Sequence, residues 1–432
     1  MTLLFGTATF NSKNHLMIGG CDTTELAQQF KTPLYIYDVA QLRHQARGFK
    51  QTFQELAVKH RVVYASKAFS CLAMYPLLQE EGLACDVVSG GELYTALKGG
   101  MPPELIEFHG NNKTKEELAY ALQAQIGTIV IDNFYEIELL EELLKDQQQT
   151  QKVLLRLTPG VNAQTHDYIT TGQTDSKFGF DVASGQATQA LKRLLASEQL
   201  DLQGVHCHIG SQIFATAGFL AAVEKMMTIL KSWQQEYSFT ANILNLGGGF
   251  GVKYTEADDP LEPSAFVKKI VQGVKEHCQQ LAYPLPEIWI EPGRSLIAQA
   301  GTTLYTVGAS KELPGLRQYV AVDGGMGDNL RPALYEANYS AYLANRQPDA
   351  KTETITLVGK YCESGDVLIR NLKSFPLKAG DLLAVPTTGA YGYSMASNYN
   401  RNPRPAVVFV EAGAATLVVR RETYQDLIAL DC

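Results

Sequence analysis

RVVYASKAFSCLAMYPLLQEEGLACDVVS, residues 61–89, holds two short apolar stretches with a helical pattern between them. Val62 and Val63 are β-branched and Tyr64 is aromatic, so RVVYAS (61–66) reads as a buried strand ending in Ser66–Lys67. ACDVVS (84–89) reads as a second strand, and CLAMYPLLQEEG between them has apolar residues at helical spacing. Strand, helix and strand in this order form a βα unit of a parallel sheet.

The pattern continues outward from this unit. Further strands are expected at LIEFHG (105–110), TIVID (128–132), KVLLRL (152–157), GVHCHIG (204–210), NILNLGGG (242–249) and EIWIEPG (287–293), with helical segments between them. Eight βα units fit the α/β class as a (β/α)₈ TIM-type barrel. After residue 294 the chain turns to short strands with turn signals, such as TTLYTVGAS, DLLAVP and AVVFVEAGAATLVVRR. The expected organisation is a barrel over 34–294 and a C-terminal β-rich, sandwich- or barrel-like domain over 295–432 that includes the N-terminal strands of 1–33. No internal repeat, low-complexity tract or long linker interrupts it.

Composition excludes several classes. With 45% hydrophobic and 19% charged residues the 432-residue chain has the make-up of a soluble globular protein. A net charge of -8 and the lack of a Lys/Arg run argue against nucleic acid as a partner. The N-terminus lacks a signal-peptide pattern and no apolar stretch is long enough for a membrane span, so a cytoplasmic location is expected. Seven scattered cysteines without a C-x-x-C pair are expected to be reduced thiols.

Catalytic groups of such barrels sit at the C-terminal ends of the strands. Those ends carry Lys67, Asp86, His109 with Asn111, Arg156, His208 with Ser211, glycines 247–249, and Glu291 with Arg294. An amine at a barrel mouth is a candidate nucleophile toward a carbonyl, although a lone lysine after a strand is more often salt-bridged. In NLGGGFG the glycines let backbone N–H groups approach an anion such as a phosphate. A carboxylate at Glu291 suits a protonated ring nitrogen. His206 and His208 flank Cys207, but no further ligand spacing is recognisable, so no metal is expected; His208 suits a ring-stacking role and His206 a core position. A lysine, a phosphate-binding glycine turn, a carboxylate and a stacking histidine together describe a site for pyridoxal 5'-phosphate (PLP), with Lys67 holding its aldehyde.

The ordered motifs YASKAF, CDVVSGGEL, HDYITTGQTDSKFGF, HCHIGSQ, NLGGGFG, EPGRS, VDGGMGDNLRPALYEANY, GKYCESGDVL and GAYGYSMASNYN resemble those of the diaminopimelate decarboxylases, PLP-dependent carboxy-lyases of the alanine-racemase-like fold. The resemblance spans essentially the whole chain. It implies that Lys67 carries the cofactor, that Asp86 lies near it, and that His208 stacks on its ring. It also implies that Ser211, Gly248, Gly249 and the segment Glu291, Pro292, Gly293 and Arg294 hold phosphate and ring, with Tyr391 completing the cofactor site. For the substrate it implies Arg294, Arg331, Tyr335, Glu363 and Tyr391, with Cys362 as the general acid. It further implies a homodimer whose CESGD segment enters the partner's barrel, and a place at the last step of lysine biosynthesis.

Charge supports the substrate class. The far end of a diaminodicarboxylate presents both a carboxylate and an ammonium, and Arg331 and Glu363 answer both, whereas ornithine or lysine would need only the acid. A lone cysteine is ordinarily a small core residue, but Cys362 stands beside Glu363 and Asp366 after a strand, which favours the acid role. Tyr339 occupies a place where many relatives carry histidine. The polar loop THDYITTGQTDSKFGF (165–180) fits a lid and a solvated loop equally well by composition. Other readings are a decarboxylase for lysine, ornithine, a D-amino acid or carboxynorspermidine, a racemase, or a non-catalytic regulator.

Overall fold

The computed structural model describes residues 3–161, 176–348 and 351–432. Residues 165–175 of the expected lid loop lie outside the described residues. The chain divides into two compact units, one of residues 45–251 and 260–295, the other of 1–44, 252–259 and 296–432.

The first unit is the barrel. Its strands are β1 (His60–Ala65), β2 (Ala84–Val87), β3 (Ile106–Phe108), β4 (Thr128–Ile131), β5 (Gln151–Thr158), β6 (Leu200–His206), β7 (Ile243–Asn245) and β8 (Glu287–Ile290). Each pairs in parallel with the next, and β8 returns to β1 with Ile288 opposite His60, which closes the sheet. Val63, Ala84, Val130, Leu154, Ile243 and Trp289, drawn from six of these strands, pack into one buried cluster. Each buried Val, Leu or Ile side chain of this kind contributes on the order of 1.5–3 kcal/mol.

Three of the intervening helices, Gly90–Lys98, Lys115–Gln123 and Phe134–Leu144, start where polar side chains satisfy their first N–H groups. Ser89 Oγ accepts from the Glu92 N–H, and Asn133 Oδ1 accepts from the Glu136 N–H. Thr114 and Glu117 form a reciprocal capping box.

The second unit is built on the long strand Gly301–Leu313, which pairs antiparallel with Leu34–Asp38, Arg317–Val322 and Leu382–Pro386. The boundary drawn from sequence assigns residues 34–44 to the barrel, whereas Leu34–Asp38 lies inside this sheet, between Gly301–Leu313 and Ala406–Glu411. All five of its residues are buried, and its ladder partners come from the C-terminal part of the chain, which local periodicity does not report. Strand Val367–Ser374, paired with Glu353–Val358, is an addition to the sequence-based set. Leu16, Ile18 and Cys21 from the N-terminal strands share one core with Leu34, Leu304, Leu382 and Val408. All seven cysteines are free, with Cys362 and Cys432 exposed. Among the described residues no helix is long and apolar enough to cross a membrane.

Candidate active site

In the barrel unit Lys67 is exposed on the short turn Ser66–Ala68 that follows β1. Asp86 lies opposite Ala65 in the β1–β2 register, and the Ser66 N–H donates to its Oδ1 at 3.2 Å. The neighbouring strand end therefore steadies the turn that presents the amine. Burial, only partly offset by His109, pushes the Asp86 carboxyl up to about 8.

Glu291 follows β8 and is buried. Asn245 Nδ2 donates to its Oε1 at 2.7 Å, His206 Nε2 lies 3.2 Å from Oε2, and His109 Nε2 lies 3.1 Å from Oε1. Burial opposes its charge, but His206 and His109 hold it well below the ordinary carboxylate range. The two imidazoles, with ring centroids 4.8 Å apart, divide the labour. Burial works against a charge on His109 as well, yet the charge of Glu291 and the contact with Glu107 raise it to about 10. His206, desolvated and beside the charged His109, falls to about 4 and stays neutral near pH 7.

This makes a pH dependence predictable. His109 rises from an ordinary 6.5 to about 10, so its stabilising charge is complete below about 6.5 and is lost as pH climbs toward 10. The gap in denaturant midpoint between the natural protein and His109→Asn should be widest near pH 6 and narrow toward pH 10. A gap that stays flat across that range would refute the charge assignment.

His109, His206 and Glu291 also form the group of ligand-type side chains close enough to hold an ion among the described residues, with their ligand atoms within 4.8 Å of one another. His208, the other half of the pair flanking Cys207, is not in it. The short N···O distances within the group belong to an ion pair and hydrogen-bonded network of the protein itself.

His208 is partly exposed, and its Nδ1 accepts from the Gly248 N–H at 3.2 Å. An accepting Nδ1 requires the neutral ring, and burial together with the charges of Lys67 and Arg156 keeps His208 well below its ordinary value. The glycine turn has no room for side chains. A Cβ at Gly248 would stand 2.0 Å from the Glu291 backbone oxygen, and Gly249, at φ 101, would place one 2.1 Å from the Gly210 oxygen. Arg294 donates to Ser211 Oγ from Nε at 3.3 Å and from Nη2 at 3.1 Å. Pro292 O accepts from the Ala65 N–H at 3.4 Å, and a Cβ at Gly293 would stand 2.8 Å from that of Ala65.

These residues fit PLP. The amine is accessible, a neutral imidazole is available for stacking, a carboxylate is held anionic for a ring nitrogen, and the glycine turn packs too closely on the Glu291 and Gly210 backbone for any residue with a Cβ. The sequence reading omitted Asn245 and Glu107, which complete the network around Glu291. Their signal was a polar residue in the middle of a buried apolar strand, as in LIEFHG and NILNLGGG.

The β-rich unit carries the other expected residues. Arg331 is buried at the start of the short helix Arg331–Tyr335, where its Nη1 donates to Tyr339 Oη at 2.6 Å and its guanidinium sits 4.8 Å from the Tyr254 ring centre. Tyr339 thus acquires a role, which is to hold Arg331. Tyr335 is half-buried, and Tyr391 sits in the left-handed region at φ 60, a conformation that non-glycine residues keep mainly where structure demands it. Cys362 and Glu363 lie on an exposed turn, which removes the core alternative for the thiol. Asp366 fixes that turn by accepting from the Met326 N–H at 2.6 Å and the Tyr361 N–H at 2.8 Å, and the Cys362 N–H donates to Asn400 Oδ1 at 2.8 Å. Glu363 lines a pocket of about 350 Å³ with Met326, Gly327, Leu330, Ser397 and Tyr399.

Residues 39–298 match the family model for the pyridoxal-binding domain of pyridoxal-dependent decarboxylases. With the closed parallel barrel and the Lys67 site, this defines a PLP-dependent decarboxylase. A diaminopimelate decarboxylase of Bacillus subtilis (strain 168) is 60% identical over 428 residues, covering 99% of this chain and 98% of its own. A solved diaminopimelate decarboxylase of M. jannaschii in complex with L-lysine superposes with a TM-score of 0.92 at 36% identity, over 99% of this chain and 98% of the other. One from Helicobacter pylori, also with L-lysine, gives a TM-score of 0.87 at 31% identity, over 95% and 99%. The chain belongs to the diaminopimelate decarboxylase family.

Proposed function

We propose that this chain decarboxylates meso-2,6-diaminopimelate to L-lysine and carbon dioxide with PLP, the last step of lysine biosynthesis. The observation that carries the reading is a single barrel unit holding an exposed Lys67, a neutral His208, an anionic Glu291 and a glycine turn without room for a Cβ.

In this reading Lys67 Nζ would hold the cofactor at its aldehyde carbon. Ser211, Gly248, Gly249 and the segment Pro292–Arg294 hold the phosphate and ring, with Tyr391 contributing to the same task. His208 stacks on the ring, and Glu291 keeps a proton on the ring nitrogen. Bound PLP supplies an electron-withdrawing ring that takes up the electron pair left at Cα when carbon dioxide departs. Cys362 would deliver its Sγ proton to Cα, a role in proton transfer that a positioned thiol can fill. Arg331 pairs with the far carboxylate and Glu363 with the far ammonium, while Arg294, Tyr335 and Tyr391 orient the remainder.

The exposed Cys362–Glu363 turn supports a homodimer in which that turn serves the partner's barrel, and a biosynthetic role supports a cytoplasmic location. The test is direct. Purified protein is incubated with PLP, and carbon dioxide release is measured from diaminopimelate, lysine and ornithine in parallel. Release from diaminopimelate well above that from the other two is expected, and none from diaminopimelate refutes the substrate assignment.

A further inference from the structure

Asn245, the last residue of β7, is fully buried and joins two parts of the proposed cofactor site. Its Nδ2 lies 2.7 Å from Glu291 Oε1 and 3.2 Å from Glu107 Oε2, while its Oδ1 accepts from the Gly247 N–H at 3.0 Å. The surroundings dictate the orientation of the amide. Two carboxylates face its NH₂ and one N–H faces its carbonyl, and the reverse orientation would set oxygen against oxygen and N–H against N–H. Its backbone is tied in as well, since the Cys207 N–H donates to the Asn245 oxygen at 2.9 Å. The strand end that leads to His208 is therefore registered on the same residue.

We infer that Asn245 is a positioning residue that locks Glu291 and the glycine turn into one rigid unit, so that the contacts to the ring nitrogen and to the phosphate of PLP keep a set separation. The inference rests on the proposed roles of Glu291 and glycines 247–249. Asparagine is the residue that meets both demands at this position. An aspartate would still accept from Gly247 but would bring a third carboxylate against Glu291 and Glu107. An alanine would leave both ends unheld.

The test strips the protein of cofactor and retitrates it with PLP, and separately with pyridoxal, which lacks the phosphate. The proteins are the natural chain, Asn245→Asp, Asn245→Ala, Glu291→Gln and the Asn245→Ala/Glu291→Gln double variant. Dissociation constants and the absorbance maximum of bound PLP are the readouts. A hydrogen bond to a charged group is worth roughly tenfold to a hundredfold in binding, and both Asn245 variants are expected to weaken PLP by about that factor. Asn245→Asp should shift the absorbance maximum in the same direction as Glu291→Gln and weaken PLP and pyridoxal alike, because the Gly247 contact survives. Asn245→Ala should weaken PLP more than pyridoxal, and its effect should be non-additive with Glu291→Gln.

A merely structural asparagine would lower thermal stability with additive effects and an unmoved absorbance maximum, and that result overturns the inference. Equal losses of PLP and pyridoxal in Asn245→Ala overturn it too, since the phosphate end would then not depend on Asn245. If Glu291→Gln shifts both readouts while the Asn245 variants shift neither, the role of Glu291 stands and the inference falls. If Glu291→Gln shifts neither, the role of Glu291 falls and takes the inference with it. Should Asn245→Ala fail to fold, Asn245→Asp, which keeps the side-chain volume, decides by its absorbance maximum and PLP affinity.

Discussion

Lys67→Ala is expected to lower decarboxylation by roughly four orders of magnitude or more, on the scale seen when a covalent nucleophile is removed. The long-wavelength absorbance of covalently held PLP should vanish at the same time. Folding should survive, because Lys67 is exposed and its turn is steadied through the Ser66 backbone N–H and Asp86 Oδ1, neither of which the substitution touches. Exposed substitutions of this kind change stability by about 0.5 kcal/mol or less. PLP should still bind, held by the glycine turn and its neighbours, so loss of turnover would separate from loss of affinity. Lys67→Arg should not restore activity, since a guanidinium does not release its proton to become a nucleophile. Turnover by Lys67→Ala near the natural rate would remove this lysine from the chemistry.

Arg331→Ala carries the second largest expected effect. Its guanidinium is buried and oriented by Tyr339 Oη at 2.6 Å and by the Tyr254 ring. Burial opposes its charge, yet the surrounding tyrosines hold it protonated above its ordinary range. A buried cation pre-oriented in this way suits a fixed carboxylate, and truncating one partner of such a pair costs on the order of 2–5 kcal/mol. The value of kcat/KM for diaminopimelate should therefore fall by about 10²-fold or more.

The product gives a second readout. Loss of carbon dioxide from one end of the substrate leaves lysine with the amine and carboxylate of the other end. Inhibition by L-lysine should accordingly weaken in Arg331→Ala, whereas inhibition by 1,5-diaminopentane, which has no carboxylate, should stay as it was. Equal weakening of both inhibitors would sink the carboxylate role. Tyr339→Phe, which removes only the hydroxyl that accepts from Arg331, should give a smaller loss of the same pattern.

Much of the barrel was legible because its order is local. A run such as RVVYAS reports its own strand character, and the helix that follows reports its period, so the direction of each strand and the end that faces the mouth follow from sequence order. That is why Lys67, Asp86, His208, the glycines and Glu291 stand out as strand-end residues without any coordinates. Leu34–Asp38 shows the opposite case. Its residues advertise a buried strand, but the ladders that place it with Gly301–Leu304 and Ala406–Val410 close loops of hundreds of residues. Val367–Ser374 was obscured for another reason, as Arg370, Asn371 and Lys373 dilute its apolar signal.

By itself the sequence determined the parallel barrel, the residues at its strand ends and the cofactor chemistry that suits them, because period-two and helical patterns and the types of residue at strand ends are properties of short segments. Tertiary structure alone decided which partner each buried charge takes. Glu291 has a guanidinium three residues away at Arg294, yet its carboxylate meets Asn245, His206 and His109 on three other strand ends, while Arg294 donates to Ser211. Burying a carboxylate costs several kcal/mol unless donors surround it, and inside a closed barrel those donors come from strands that are distant in sequence and adjacent only through register.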